Sequence, residues 1–273
     1  MSRIAVIGLV GKTIFMEVPR FHEGGETIHA TGLHEEWGGK GFNQAVAAAR
    51  QDAAVSFLGA VNAADVKPLK DFCAKEGVTA TLVAKKKPTA TAAILTDGTG
   101  ETRVTVYPGA GLEPKDVDAF AGKIAMADFL LLNNEVPEEV NLSAVAIARE
   151  YGVKVVFNPA PARALPDELK KRVFLFTPNE FEEAGLGPVD CEVITTLGEK
   201  GCRIRSTDET IPAPKVKAVD STGAGDTFNA VLAVRLAEGE SLRDACVAAN
   251  AAAAQSVTVC YVLPSLPSRD LNR

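Results

Sequence analysis

The chain has no basic surplus. Lys and Arg number 29 against 35 Asp and Glu, for a formal net charge of −6, which argues against nucleic acid as a partner because tracking phosphates needs a positive stripe. The clearest basic run, Lys85-Lys86-Lys87, reads as a solvated turn before Pro88. Cysteine is scarce as well. Cys73, Cys191, Cys202, Cys246 and Cys260 make five, an odd number with no C-x-x-C pair, which disfavours a disulfide framework or a thiolate zinc site and favours thiols in a reducing cytosol. The three histidines, His22, His29 and His34, match no metal-ligand spacing and read as loop or surface residues. Apolar runs long enough to cross a membrane are lacking, and the opening Met1-Ser-Arg-Ile-Ala-Val-Ile-Gly8 is too short an apolar run for a signal peptide. A cytoplasmic protein with no membrane partner is the expectation.

What the chain does have is a composition for burial, 47% hydrophobic and 23% charged over 273 residues, enough for one large α/β domain with an appendage, spanning residues 1–273. Strand-like apolar runs occur at residues 3–9, 55–61, 128–133, 153–158, 173–178 and 191–197. Helical patterns fall between most of them, at 41–51, 66–76, 137–151 and 166–171. This alternation predicts a doubly wound, mostly parallel sheet with helices on both faces. Two regions break it. Residues 13–18 with 26–34, and 91–96 with 102–107, read as extended strands joined by Gly-containing turns, so a small β-sheet lid is expected from segments near 13–35 and 88–107. The tail from Pro264 onward reads as irregular.

The densest chemistry lies in Asp220-Ser-Thr-Gly-Ala-Gly-Asp-Thr-Phe-Asn229, which runs into an apolar, Ala-rich helical pattern. Gly223, Ala224 and Gly225 permit a tight turn at a helix start, where uncovered N–H groups and the helix dipole favour an anion. Asp226 beside such a cradle suits a base that takes a proton from a hydroxyl attacking phosphorus. Taken alone, it suits a helix cap equally well.

Other glycine motifs fail. Gly8-Leu-Val-Gly11-Lys12-Thr13 has too few residues between its glycines for a P-loop, and the stretches from Gly39 and from Gly223 lack the third glycine of a dinucleotide fingerprint. Gly38-Gly39-Lys40-Gly41-Phe42-Asn43 opens a helix. Its glycines allow a ligand to approach, and Lys40 and Asn43 supply donors, although an ordinary glycine turn with an exposed Lys reads the same.

Together these segments resemble the ribokinase-like family of carbohydrate kinases over nearly the whole chain. The resemblance is carried by Trp37-Gly-Gly-Lys-Gly-Phe-Asn-Gln-Ala-Val-Ala-Ala-Ala49, Phe157-Asn-Pro-Ala-Pro-Ala-Arg163, Ala164-Leu-Pro-Asp-Glu-Leu169, Thr177-Pro-Asn-Glu180, Thr195-Thr-Leu-Gly-Glu-Lys-Gly201 and residues 220–228, in the family's order. The Asn-Pro-Ala-Pro-Ala-Arg stretch is most similar to ribokinases proper. The resemblance implies a kinase that uses ATP and Mg2+ to phosphorylate a hydroxyl of a small sugar-like substrate. It implies Asp226 as the base, with Gly223, Ala224 and Gly225 as the anion hole. Gly39, Lys40, Gly41, Asn43 and Glu135 match substrate-side positions. Thr196, Gly198 and Gly201 match the nucleotide site, with Asn250 near it. Asn179 and Glu182 fall on the family's Asn-x-x-Glu element, associated with magnesium through water and with phosphate positioning. A homodimer through the lid is the expected assembly.

Three departures qualify this. Ribokinases carry an Asn-x-Asp pair for sugar hydroxyls where this chain has Gly11 and Thr13, which share a strand face and cannot replace it, with Lys12 pointing away. Residues 185–190 link two elements where relatives have an extra helix. Asp220, Thr222 and Ser265 match a K+ site, but Tyr261 stands where a glycine is usual. If a left-handed backbone is needed there, its carbonyl is expected to turn away and weaken the site. Two rival readings follow: a nucleoside kinase of the same fold, and a catalytically idle sugar or nucleotide sensor.

Overall fold

The computed structural model describes residues 1–269. Strand β1 (Arg3–Ile7) shows how the sequence builds its centre. Ile4 and Val6 enter one apolar cluster, Ala5 and Ile7 the other, as period-2 alternation demands when both sheet faces are covered. The chain continues through β2 (Gly11–Glu17), β3 (Gly32–Gly38), α1 (Lys40–Arg50), β4 (Ala54–Asn62), α2 (Val66–Lys75), β5 (Val78–Lys85), β6 (Ala90–Thr96) and β7 (Thr102–Tyr107). Short helices α3 (Pro114–Asp118) and α4 (Ala121–Ala125) lead to β8 (Phe129–Asn133), α5 (Glu138–Glu150), β9 (Lys154–Asn158), α6 (Asp167–Lys170), β10 (Leu175–Phe176) and α7 (Glu180–Leu186). The remainder is β11 (Glu192–Thr196), β12 (Cys202–Ile204), β13 (Glu209–Ile211), α8 (Ala224–Ala237), α9 (Leu242–Ser256) and α10 (Val262–Ser265).

Nine strands form the main sheet in the order β13-β12-β11-β10-β9-β8-β1-β4-β5. Pairing is parallel from β11 to β5, and antiparallel for β12 and β13. Helices α1, α2, α8 and α9 contribute to the cluster on one face, and α3 to α7 to the cluster on the other. The winding runs from β1 out to β5, then restarts at β8 and runs the other way. Loops leaving β1 and β8 therefore part, opening a crevice at their carboxyl ends where open α/β sheets bind ligands.

The second sheet has the order β3-β2-β6-β7. Gly11 pairs with Gly38 and Phe15 with His34, while β6 runs parallel to β2. The expected lid thus exists, with one strand displaced. Residues 26–31 are not strand; Glu26 closes a turn on Glu23 and is gripped by Arg20. Strand β3 begins only at Gly32, after Thr31 N–H has reached the Glu17 carbonyl at 2.8 Å, because the seven residues of β2 dictate where its partner can lie.

Strands β5, β12 and β13 had no counterpart in the apolar pattern. Pro264 and Ser265, expected in an irregular tail, close α10; of that tail, residues 270–273 lie outside the described residues. Lys85 is no free turn residue either, since its Nζ meets Glu113 at 3.3 Å and Asp116 at 3.1 Å. Residues 187–191 join α7 to β11 without an extra helix, as the sequence implied, although Gly185 and Leu186 of the expected linker still belong to α7. Among the described residues no helix is long and apolar enough to cross a membrane.

Candidate active site

A cavity of about 560 Å³ lies between the lid and the crevice. Gly11, Thr13, Gly39, Lys40, Asn43, Glu135, Thr222, Gly223 and Asp226 line it, together with Phe15, Ile94, Val104 and Val106 of the lid. Substrate-side residues inferred from separate motifs thus meet in one place.

Its floor is the start of α8. Gly223 takes the left-handed conformation (φ +80°), and Thr227 N–H is the first to find an intrahelical acceptor, the Gly223 carbonyl at 2.9 Å. Of the N–H groups between them, that of Ala224 reaches back to the Ser221 carbonyl at 3.3 Å, which leaves those of Gly225 and Asp226 as the free donors of a helix N-terminus, suited to an anion. Asp226 is 5% exposed. Asn43 donates to its Oδ2 at 2.8 Å and Gln44 to its Oδ1 at 3.2 Å. Asp226 is therefore no N-cap, the alternative its sequence allowed, for it sits inside the first turn and its carboxylate faces α1. Burial pushes its carboxyl above the ordinary aspartate range, while the Lys40 charge and the two amide donors pull the other way.

Lys40 and Glu135 complete a charged triad. The Lys40 ammonium is held above its usual range, chiefly by Asp226 and against its own burial. Glu135 accepts the Lys40 backbone N–H at 2.6 Å. Burial, reinforced by Asp226 and opposed by Lys40, pushes its carboxyl up to about 7. Two glycines make the triad possible. A Cβ on Gly39 (φ +109°) would lie 2.5 Å from the Leu9 carbonyl oxygen, and one on Gly41 would lie 2.6 Å from Gly8 Cα. Gly41 thus packs α1 against the loop after β1 and does not itself line the cavity.

The site also contains residues the motifs did not single out. Gln44 is the second hand on Asp226. Asn134 is a cavity-lining residue whose Nδ2 donates to the carbonyls of Pro159 and Pro161 at 3.1 Å, leaving Oδ1 buried without a partner. Asn43 Oδ1 is likewise buried without a partner, an uncommon state for a polar atom. Gln44 follows Asn43 within the quoted motif, so adjacency was the available signal; Asn134 had none.

On the other flank, Asn179 and Glu182 form a reciprocal cap on α7, with Glu182 N–H donating to Asn179 Oδ1 at 2.8 Å and Asn179 N–H to Glu182 Oε2 at 2.9 Å. One carboxylate oxygen is left for a hydrated magnesium, an ion that keeps much of its water shell. Asn179 bridges to Thr196, and Gly198 and Gly201 both hold positive φ in the turn that follows. Asn250 lies behind this turn, since the Ile211 carbonyl it binds is packed against Gly201. It is buried, and its amide donates to the Ile211 carbonyl at 2.9 Å and faces Cys202 Sγ at 3.5 Å, so it braces β12 and β13 rather than reaching the cavity.

The K+ positions are all engaged in backbone hydrogen bonds. Asp220 Oδ1 accepts Thr222 N–H and Oδ2 accepts Tyr261 N–H, both at 2.9 Å, and Ser265 Oγ donates to the Val262 carbonyl at 2.8 Å. Tyr261 takes the positive-φ backbone expected of a glycine there. It holds φ +67°, ψ 167°, a region nearly reserved for glycine. Its ring stacks on His34, centroids 3.9 Å apart, and meets Phe15 edge-on at 5.2 Å. His34, expected at the surface, is thus part of a lid contact. Lys12 is tied to Asp65 at 2.8 Å.

A parallel sheet with its crevice at the β1/β8 switch, a β lid and a buried carboxylate at a helix N-terminus define a small-molecule kinase of the doubly wound class. Comparison with known proteins agrees. The model of the pfkB family carbohydrate kinases matches residues 1–269. The chain is 34% identical to a ribokinase of Haemophilus influenzae, over 97% of this chain and 95% of that one. It also covers 55% of a bifunctional ribokinase/ribose-5-phosphate isomerase A of Fructilactobacillus sanfranciscensis, at 32% identity over 99% of this chain. Among solved structures, ribokinase from Thermotoga maritima superposes with a TM-score of 0.87 at 32% identity, covering 99% of this chain and 97% of that one. Ribokinase of Arabidopsis thaliana, solved with ribose and ATP, gives 0.87 at 26%, with coverage of 99% and 97%. The chain belongs to the pfkB family of carbohydrate kinases, enzymes that move a phosphoryl group from ATP to a sugar hydroxyl.

Proposed function

We propose that this kinase activates its acceptor hydroxyl with Asp226 and receives the transferring phosphoryl group on the backbone N–H groups of the Gly223-Ala224-Gly225 turn. The observation that carries the reading is the pairing of a buried, elevated carboxylate, oriented by Asn43 and Gln44, with the free donors of the α8 N-terminus. The acceptor hydroxyl donates its proton to Asp226 as its oxygen attacks the terminal phosphorus of ATP in line, and the N–H groups stabilise the charge gathering on the phosphoryl oxygens. Lys40 neutralises the enlarged negative charge beside Asp226. Mg2+, held through water by Glu182 and Asn179, would supply charge neutralisation on the nucleotide phosphates. Thr196, Gly198 and Gly201 bound the nucleotide side. Retention of the whole apparatus speaks against an idle sensor.

For the acceptor, the relatives named ribokinase make D-ribose the first compound to test. Gly11 and Thr13 argue that it is a slow one. A Cβ at Gly11 would lie 2.5 Å from the Ala90 carbonyl oxygen, so no side chain there can replace the ribokinase amide. Two lost hydrogen bonds of about 0.5–1.5 kcal/mol each correspond to roughly 5- to 150-fold in kcat/KM. The apolar lid lining of Phe15, Ile94, Val104 and Val106 favours an acceptor with an apolar portion. That supports a nucleoside as the second reading.

A panel of sugars, polyols and nucleosides, each scored for phosphorylated product with ATP and Mg2+, decides between them. D-ribose as the best substrate would refute the argument from Gly11 and Thr13. The lid supports a homodimer, because Val104 and Val106 are 56% and 57% exposed on edge strand β7 and an apolar edge otherwise invites association. The scattered cysteines support a cytoplasmic setting.

A further inference from the structure

Glu36 is a buried acid that the chemistry above does not use. It lies on β3, opposite Thr13 in the lid, and its side chain is 5% exposed. Its partners are 226 and 227 residues away: Oε1 accepts Val262 N–H at 3.0 Å and Oε2 accepts Leu263 N–H at 3.2 Å. These are first-turn donors of α10, which have no intrahelical acceptor, and Tyr261, the residue before them, provides no side-chain cap. A carboxylate on two N–H groups makes the stronger, charge-assisted kind of bond. The same lid face adds the stacking of His34 on Tyr261, and His34 Nε2 lies 3.1 Å from Glu36 Oε2.

What this grip controls is visible one contact further on. A Cβ on Gly223 would lie 2.5 Å from Val262 Cγ1, so the Val262 side chain is the wall against which the anion-hole turn is seated. The carbonyl side of α10 is anchored by Arg50 of α1, which donates to the carbonyls of Leu263 at 2.6 Å and Leu266 at 2.9 Å. At the near end Asp220 Oδ2 accepts the Tyr261 N–H at 2.9 Å, and Glu36 is the group that ties this end to the lid. Strand β3 also runs directly into Gly38-Gly39-Lys40, so whatever moves the lid over an acceptor moves Glu36 with it.

We propose that Glu36 is a positioning residue for phosphoryl transfer: through Val262 it fixes the Gly223 turn, and so makes the geometry of the anion hole depend on the position of the lid. The inference rests on the kinase reading of that turn. Coupling of this kind acts in both directions, which gives a readout besides turnover. Trp37, the single tryptophan of the chain, is the neighbour of Glu36 on β3.

The test uses the full chain and two variants. Glu36→Gln replaces one acceptor oxygen by an amide NH2, leaving one of the two N–H groups without a partner. Val262→Ala keeps the cap and removes the wall. With Mg2+–ATP and D-ribose, or any faster acceptor from the panel, both variants are expected to lose about tenfold or more in kcat while KM for ATP and acceptor stays within about twofold, the signature of an interaction that matters in the transition state. Binding of Mg2+–ADP is expected to change Trp37 emission in the unsubstituted protein, and this response should vanish in both variants at similar nucleotide affinity. An unchanged kcat, a rise confined to KM, or a Trp37 response that is absent from the unsubstituted protein or survives in Glu36→Gln overturns the proposal. If Glu36→Gln fails to fold, Val262→Ala carries the same comparison. Absence of turnover by the unsubstituted protein on every acceptor would strike the kinase reading, leaving the fluorescence arm to judge Glu36.

Discussion

Replacing Asp226 by Asn separates catalysis from stability in opposite directions. Both carboxylate oxygens accept amide N–H groups, from Asn43 and Gln44, so an amide at this position would set its NH2 against one of those donors. The conflict resolves cheaply, because Asn43 Oδ1 and Gln44 Oε1 are both buried without partners and a flip of either amide supplies an acceptor. The fold should therefore accept the change.

Loss of the base is expected to lower kcat by roughly 10²- to 10⁴-fold, about 2.7–5.5 kcal/mol on the barrier. At the same time the ligand-free protein should become more stable, because a buried carboxylate whose pKa is raised by desolvation no longer has to be held ionised. The gain is of order 1 kcal/mol, about 2 °C in Tm for a chain of this size. An acid with a raised folded-state pKa loses stability as pH rises through that pKa. The stability difference between the parent protein and the Asp226→Asn variant should thus be absent well below the ordinary value of 3.8 and fully developed once pH exceeds the raised one. Steady-state kinetics and thermal melts across pH measure both effects. Full activity, or a Tm that falls on substitution, would refute the reasoning.

Glu135, whose carboxyl is pushed up to about 7, should be protonated in the free enzyme at mildly acidic pH; acceptor KM is expected to rise as pH falls through about 7, and Glu135→Gln should flatten that dependence in initial-rate profiles. Its folded-state value lies above the ordinary 4.5, so its contribution to ligand-free stability is lost as pH rises through about 7, a trend thermal melts of the Gln variant should lack. Exchanging Na+ for K+ at fixed ionic strength should raise the rate only modestly, since the site depends on Tyr261 being held in a backbone conformation nearly reserved for glycine; many-fold activation would show that the loop holds the ion in spite of it. Substituting Val104 and Val106 together by Lys should shift light-scattering mass from dimer to monomer, and a parent protein that is monomeric at every concentration would remove the lid-dimer reading.

Much of the architecture was legible locally. Continuous apolar runs alternating with helical patterns announced a parallel sheet because both faces of β1 are buried, and the Gly223–Gly225 turn announced an anion site because glycine geometry at a helix start exposes N–H groups whatever surrounds it. The ribokinase-like resemblance rested on motifs of the same local kind. Strand β3 was misplaced because register is set by its partner across the sheet, and Arg20 and Glu26 fold the intervening residues into a turn. Strand β5 and the β12–β13 hairpin escaped notice because none of them carries a long apolar run.

The sequence by itself determined which groups are available: a carboxylate beside a glycine turn, a Lys in a glycine-rich helix start, and no ribokinase Asn-x-Asp pair. Only the tertiary structure decided which of them meet. Asn43 and Gln44 orient Asp226 across 183 and 182 residues of chain, Glu36 caps a helix near the opposite end, and Asn250 turns inward to brace a hairpin. Tyr261 keeps a glycine conformation because His34 and Phe15 hold its ring. Local pattern reports the conformational preference of a few neighbouring residues. Partnership between distant side chains depends on strand order and register, which are settled only when the whole core packs.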